Sequence, residues 1–151
     1  MRHRFHAICP YFAMFPESFA ETWIERLTKR GDTVLDLFSG RGTTATCALL
    51  SGRKAVASDV NDVAFCLTKA KTNAPTRATA LNRIAKLCDG YSASKFAKAA
   101  EKLPDFFQHA FHPSTLRQVL YLQSTLNWRN QKTDALIAFG PWGIARRGRQ
   151  V

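Results

Sequence analysis

The chain has few acids: 11 Asp and Glu stand against 22 Lys and Arg, leaving a formal net charge of +11. Its four cysteines, at 9, 47, 66 and 88, form no CxxC pair, which argues against a zinc ribbon or a disulfide framework and for reduced, mostly buried thiols. Nowhere does an apolar run approach the roughly 20 residues of a membrane-spanning helix. The start, MRHRFHAICPYF, lacks the apolar core and small-residue cleavage site of a signal peptide. A soluble, cytoplasmic protein without membrane attachment is expected. Nor is disorder expected, since 46% of the 151 residues are hydrophobic and 22% charged. That length supports one domain with a sizeable core.

Charge is unevenly spread. Residues 1–75 carry ten basic and seven acidic groups, whereas residues 76–151 carry twelve and four. Such a surplus favours a polyanionic partner, because each neutralised phosphate releases condensed counterions.

Two regions differ in pattern. From Pro16 to Arg30, Phe19, Trp23 and Leu27 recur every fourth residue as one apolar helical stripe, with Pro16 in the first turn and Gly31 as the stop. Thr33–Leu37 reads as a buried strand, Phe38-Ser39-Gly40-Arg41-Gly42 as a glycine-rich turn, and Thr43–Leu50 as a short helix. Lys54–Ser58 is a second strand, and a further helix runs from Asp62 to about Thr72. Strand, turn, helix, strand and acid make a βαβ unit with parallel pairing. Residues 76–138 are rich in Ala, Lys, Leu and Arg, with Pro104 and Pro113 punctuating three or four helices. A third strand is expected at 135–139, and residues 140–151 read as an irregular basic tail.

The turn is the chemical signal. A phosphate-binding loop needs Gly-Lys-Ser/Thr, which Arg41-Gly42-Thr43 does not supply. Gly40-Arg41-Gly42-Thr43-Thr44-Ala45 does fit the GxGxxA form of a dinucleotide fold. An adenosylmethionine site also uses a glycine turn, where a β-carbon would obstruct close backbone approach to the cofactor. Both cofactors want an acid after the second strand to accept from ribose hydroxyls, and Asp59 stands there.

The run Phe15-Pro16-Glu17-Ser18-Phe19, its helix, and then Asp36-Leu37-Phe38-Ser39-Gly40-Arg41-Gly42-Thr43-Thr44 resembles the DNA amino-methyltransferases acting on adenine N6 or cytosine N4. The resemblance extends over residues 8–73 and includes Ser58-Asp59-Val60-Asn61. It implies a partial Rossmann-like α/β fold binding S-adenosyl-L-methionine rather than NAD, whose folds have no reason to carry the FPESF helix. The implied cofactor-binding residues are Phe15, Pro16, Asp36, Phe38, Ser39, Gly40, Gly42, Thr43, Thr44, Asp59 and Val60. Phe15 and Pro16 would flank the cofactor, the segment from Asp36 to Thr44 would cradle its methionine end, and Asp59 would take the ribose.

Amino methylation in that family also needs [D/N/S]-P-P-[Y/F/W], which orients the target NH₂ and stacks on the flipped base. None of the six prolines is adjacent to another. The nearest mimic, Gly140-Pro141-Trp142 after an apolar run, has no side-chain acceptor at Gly140. No catalytic residue and no metal ligand is therefore assigned, and His109 and His112 lack companion ligands. The reading is of residues 1–75 as the cofactor-binding part of a methyltransferase, residues 76–139 as a helical segment, and a catalytic and target-recognition part lying elsewhere. DNA is the expected partner, with an RNA methyltransferase and a non-catalytic nucleic-acid-binding module with a vestigial cofactor site as alternatives.

Overall fold

A computed structural model describes the backbone of residues 15–145 and the side chains of residues 15–140. The described residues fall into two compact units, the first comprising 15–75 with 128–145 and the second 76–127.

In the first unit, helix α1 (Glu17–Leu27) starts after an extended Pro16 and has Glu17 in its first turn, where the helix dipole favours an acid. It is followed by strand β1 (Thr33–Asp36), helix α2 (Thr43–Leu50), strand β2 (Lys54–Ala57) and helix α3 (Asp62–Thr72). The strands pair in parallel, Thr33 opposite Lys54 through Asp36 opposite Ala57, so β1–α2–β2 is a βαβ unit. Helix α8 (Lys132–Ala145) returns to the same unit.

Two small cores hold it together. Ala20 and Ile24 of α1 meet Cys47 and Ala48 of α2, with Val34 and Ala55 of the sheet packed against them. Leu67 and Ala70 of α3 meet Phe139 of α8, joined by Val63 and Leu136. Around that second core, Trp128 packs edge-on to Phe65 with ring centroids 6.3 Å apart, and Arg129 bridges to Asp62 at 2.6 Å.

Three expectations are corrected. Phe19, Trp23 and Leu27 do not face the core: they are exposed, and α1 buries Ala20 and Ile24 instead. Ala20 and Ile24 pack on Cys47 and Ala48 of α2, and the aromatic side of α1 is left open. The expected strand at 135–139 is the middle of α8. A short apolar run does not by itself distinguish a buried strand from a buried helix segment; this one lies against α3, a helix that offers no ladder hydrogen bonds. The backbone expected to be irregular from residue 140 is helical as far as Ala145, and the rest of that tail lies outside the described residues.

The second unit holds four helices, α4 (Arg77–Gly90), α5 (Ala93–Glu101), α6 (Asp105–Ala110) and α7 (Pro113–Thr125). Tyr121 on α7 anchors it, donating to the Leu87 carbonyl at 2.9 Å while its ring meets Tyr91 and Phe96. His112, weighed as a metal ligand, caps α7 by accepting from the Ser114 amide. Lys95, Lys98 and Lys102 are all exposed. Mostly helical with one small parallel sheet, the described chain is a partial α/β structure.

Candidate functional site

The site forms where the two strands end. β1 stops at Asp36, whose Oδ1 accepts from the Phe38 amide at 3.1 Å and so starts the turn. The Ser58 amide donates to the Asp36 carbonyl, and the Ser39 amide donates to the Ser58 carbonyl, both at 2.9 Å. These bonds tie the turn to the end of β2. Within the turn, the Gly42 amide donates to the Ser39 carbonyl at 2.7 Å. Gly40 and Gly42 have φ of 51° and 77°, in the left-handed region that glycine enters without steric cost. Gly42 is also the N-cap of α2.

Asp59 joins this turn directly. Its Oδ2 accepts from the Gly40 amide at 2.7 Å and its Oδ1 from the Asn61 amide at 2.8 Å. Asn61 in turn caps α3, accepting from Val63 at 2.8 Å and Ala64 at 3.3 Å. Two residue sets 19 positions apart thus meet through one charge-assisted hydrogen bond. A carboxylate has about four lone-pair positions; with two amides bound and the residue partly exposed, Asp59 keeps acceptor capacity for hydroxyl groups.

The remaining expected residues distribute around this centre. Phe38 and Val60 are 86% and 96% exposed, an unusual setting for large apolar side chains. Ser39 and Thr43 are buried, and Thr43 Oγ1 accepts from Arg41 Nε at 3.3 Å. Thr44 sits half-buried in the first turn of α2. Phe15 and Pro16 lie at the head of α1, where Phe15 contacts Phe19 with ring centroids 5.6 Å apart. That end of α1 reaches α2 through Cys47 Sγ, which donates to the Glu17 carbonyl at 3.9 Å.

Sequence reasoning passed over three side chains that shape the turn. Thr46 Oγ1 donates to the Gly42 carbonyl, Thr68 Oγ1 to that of Gly40 and Lys71 Nζ to that of Arg41. No sequence signal marked them: Thr68-Lys69-Ala70-Lys71 reads as an ordinary solvated helix end, yet Thr68 and Lys71 are buried.

Two of the thiols, Cys47 and Cys66, are poorly suited to nucleophilic work. Burial, reinforced by the carboxylates of Glu21 and Glu17, pushes the Cys47 thiol up to about 11. Burial also raises the Cys66 thiol, with Lys69 opposing the shift. Among the described residues no cluster of three His, Cys, Asp or Glu could hold a metal, and no helix is long and apolar enough to cross a membrane.

Residues 3–70 match the family model described as DNA methylase. That segment contains the turn, Asp59 and every other expected site residue. Over 49 residues the chain is also 43% identical to the orphan methyltransferase M.BamHII of Bacillus amyloliquefaciens. The matched stretch is 32% of this chain and 18% of that relative, so the chain spans a minor part of the methylase it matches. No solved structure matches the chain. α4 through α8 lie beyond the matched segment.

Proposed function

We propose that the first unit is the cofactor-binding part of a Rossmann-like, adenosylmethionine-dependent methyltransferase whose methyl acceptor is an exocyclic amino group of a base in DNA. The observation that carries this reading is the hydrogen bond from the Gly40 amide to Asp59, which makes the glycine turn and the ribose-type acid one structure inside the segment that matches the DNA methylase model. The donor set fits the cofactor. Gly40 and Gly42 keep the backbone slim at the turn, and Asp59 retains acceptor capacity for ribose hydroxyls. Phe38 and Val60 offer apolar surface beside them.

When bound, adenosylmethionine supplies an electrophilic methyl group on a sulfonium. This chain's residues bind and orient it: the segment from Asp36 to Thr44 holds the methionine end, Asp59 the ribose, and Phe15 and Pro16 flank it. Direct attack by an amino nitrogen requires no enzyme thiol, in keeping with the raised Cys47 and Cys66 thiols.

Calorimetry tests the assignment. Asp59→Ala should weaken adenosylmethionine binding by about 1.5–3 kcal/mol, the scale of a hydrogen bond to a charged group. Equal affinity for wild type and variant removes Asp59 from the ribose role, and preference for NAD overturns the cofactor.

DNA as partner is supported by the net charge of +11, most of it beyond residue 75, and by the exposed Lys95, Lys98 and Lys102. Binding to duplex DNA should be sequence-independent and steeply salt-dependent. Each neutralised phosphate contributes about −0.9 to the slope of log K against log salt, so five contacts give roughly −4.5. A flat response in a salt titration assigns the charge to solubility alone. Preference for RNA in the same titration points to an RNA methyltransferase.

A further inference from the structure

Three successive carbonyls of the turn, those of Gly40, Arg41 and Gly42, accept from side chains inside the first unit. Thr68 Oγ1 donates to the first at 3.2 Å, Lys71 Nζ to the second at 2.7 Å and Thr46 Oγ1 to the third at 2.6 Å. The Thr46 donor belongs to α2, which the turn itself begins, and such a bond is ordinary in a first helical turn. The other two come from α3, nearly 30 residues downstream. They sit at i and i+3, so they share one side of the helix, while Leu67 and Ala70 face α8.

Lys71 is the telling residue. It is 7% exposed, and taking an ammonium out of water is costly unless it is bonded. Its ammonium donates to the Arg41 carbonyl at 2.7 Å, so part of that cost is offset at the turn. Thr68 acts on the turn in two ways. It donates to Gly40, and it occupies the space beside Gly42, where an added Cβ would lie 2.7 Å from its Oγ1. Ser39 Oγ lies 3.4 Å from the same hydroxyl.

We propose that Thr68 and Lys71 form a carbonyl clamp, two positioning residues that set the glycine turn in its ligand-binding shape. In a trans peptide the C=O and the following N–H point in opposite directions. Drawing the Gly40 and Arg41 carbonyls toward α3 therefore turns the negative ends of these peptides away from the side opposite α3. An anionic group, such as the carboxylate of the cofactor's methionine part, is favoured there. The clamp acts on the methionine end and leaves the Asp59 end alone. The part concerning the cofactor rests on the proposed adenosylmethionine site; the part concerning the turn does not.

The experiment uses the full chain with Thr68→Val, Thr68→Ser and Lys71→Met, and follows two readouts. The first is amide hydrogen exchange at Gly42, whose N–H shares a peptide with the Arg41 carbonyl, with the Asp59-bonded Gly40 as the internal control. The second is affinity for adenosylmethionine and for adenosine, which lacks the methionine part. Thr68→Val and Lys71→Met should speed exchange at Gly42, leave Gly40 with its Asp59 partner unchanged, and weaken adenosylmethionine at least tenfold. Adenosine affinity should stay within about twofold, and Thr68→Ser should behave as wild type. Unchanged exchange at Gly42 overturns the clamp. Equal losses for both ligands also overturn it, because a residue that merely supports the fold would harm them alike. If wild type takes up neither ligand, the cofactor assignment fails, and exchange alone decides whether the clamp on the turn stands. Should Lys71→Met not fold, the Val and Ser pair at Thr68 decides between the same outcomes.

Discussion

Incubated with adenosylmethionine bearing a labelled methyl group and with mixed-sequence DNA or RNA, the purified 151-residue chain should transfer no measurable label. An exocyclic amine is a poor nucleophile because its lone pair is delocalised into the base ring. Acceptors that hold the NH₂ in line with the methyl group are therefore part of the chemistry, and positioning of this kind supplies about 7–11 kcal/mol of barrier reduction. The chain has no pair of adjacent prolines to build the Pro-Pro loop of the amino-methyltransferases it resembles. Its nearest mimic, Gly140-Pro141-Trp142, is helical backbone within α8, where successive C=O and N–H groups run along the helix axis rather than converge on one acceptor site. Cofactor binding is a separate matter, since every residue assigned to it lies at or before Val60. Robust turnover that is lost in Trp142→Ala and kept in the exposed-surface variant Gln123→Ala would show that the α8 segment serves catalysis, and would sink this prediction.

Gly42→Val should abolish adenosylmethionine binding and lower the thermal midpoint. At φ of 77° an L-residue pays about 1–2 kcal/mol, and a β-branched one more. Sterics add to this: a Cβ at Gly42 would stand 2.7 Å from Thr68 Oγ1, 3.0 Å from its Cγ2 and 3.1 Å from its Cα. The last contact is with backbone, which rotamer change cannot relieve, so either α3 shifts or the turn opens. Gly31→Ala is the informative control. Gly31 has φ of 93° but nothing within 4 Å of an added Cβ, so it carries the conformational cost without the collision. It should lower stability by roughly 1 kcal/mol and leave cofactor affinity unchanged. Thermal melts and calorimetry on both variants check this; an unchanged affinity in Gly42→Val refutes it. Glycine at 42 is thus required by the protein's own packing against Thr68, before any ligand approaches the turn.

Local rules made much of the first unit readable. Thr43–Leu50 is bounded by Gly42 and by Gly52 just beyond its C-cap, Lys54–Ala57 is a short run closing on an acid, and Asn61 announces the start of α3 with a side chain suited to capping. These signals act over a few residues, and expectation and structure agree there to within one residue. The candidate site was legible for the same reason. Positive φ at Gly40 and Gly42 and a carboxylate that takes up the Gly40 amide are demands of the turn itself, and such demands restrict residue type one position at a time.

Tertiary structure decided everything that depends on which surface meets which. Nothing local in α1 shows that Ala20 and Ile24, rather than Phe19 and Trp23, face inward; their packing on Cys47 and Ala48 of α2 settles that. Residues 135–139 are apolar enough for a strand or a helix, and their neighbour α3 makes the choice. Lys71 looks like a solvated lysine until α3 docks, and only then does its ammonium find the Arg41 carbonyl. By itself, then, the sequence determined where the chain turns and which acid closes the turn, because those are properties of single residues and their immediate neighbours. The burial of Lys71, the open aromatic side of α1 and the helix at 135–139 belong to the tertiary structure, because each is decided by a contact with a segment that sequence proximity does not reveal.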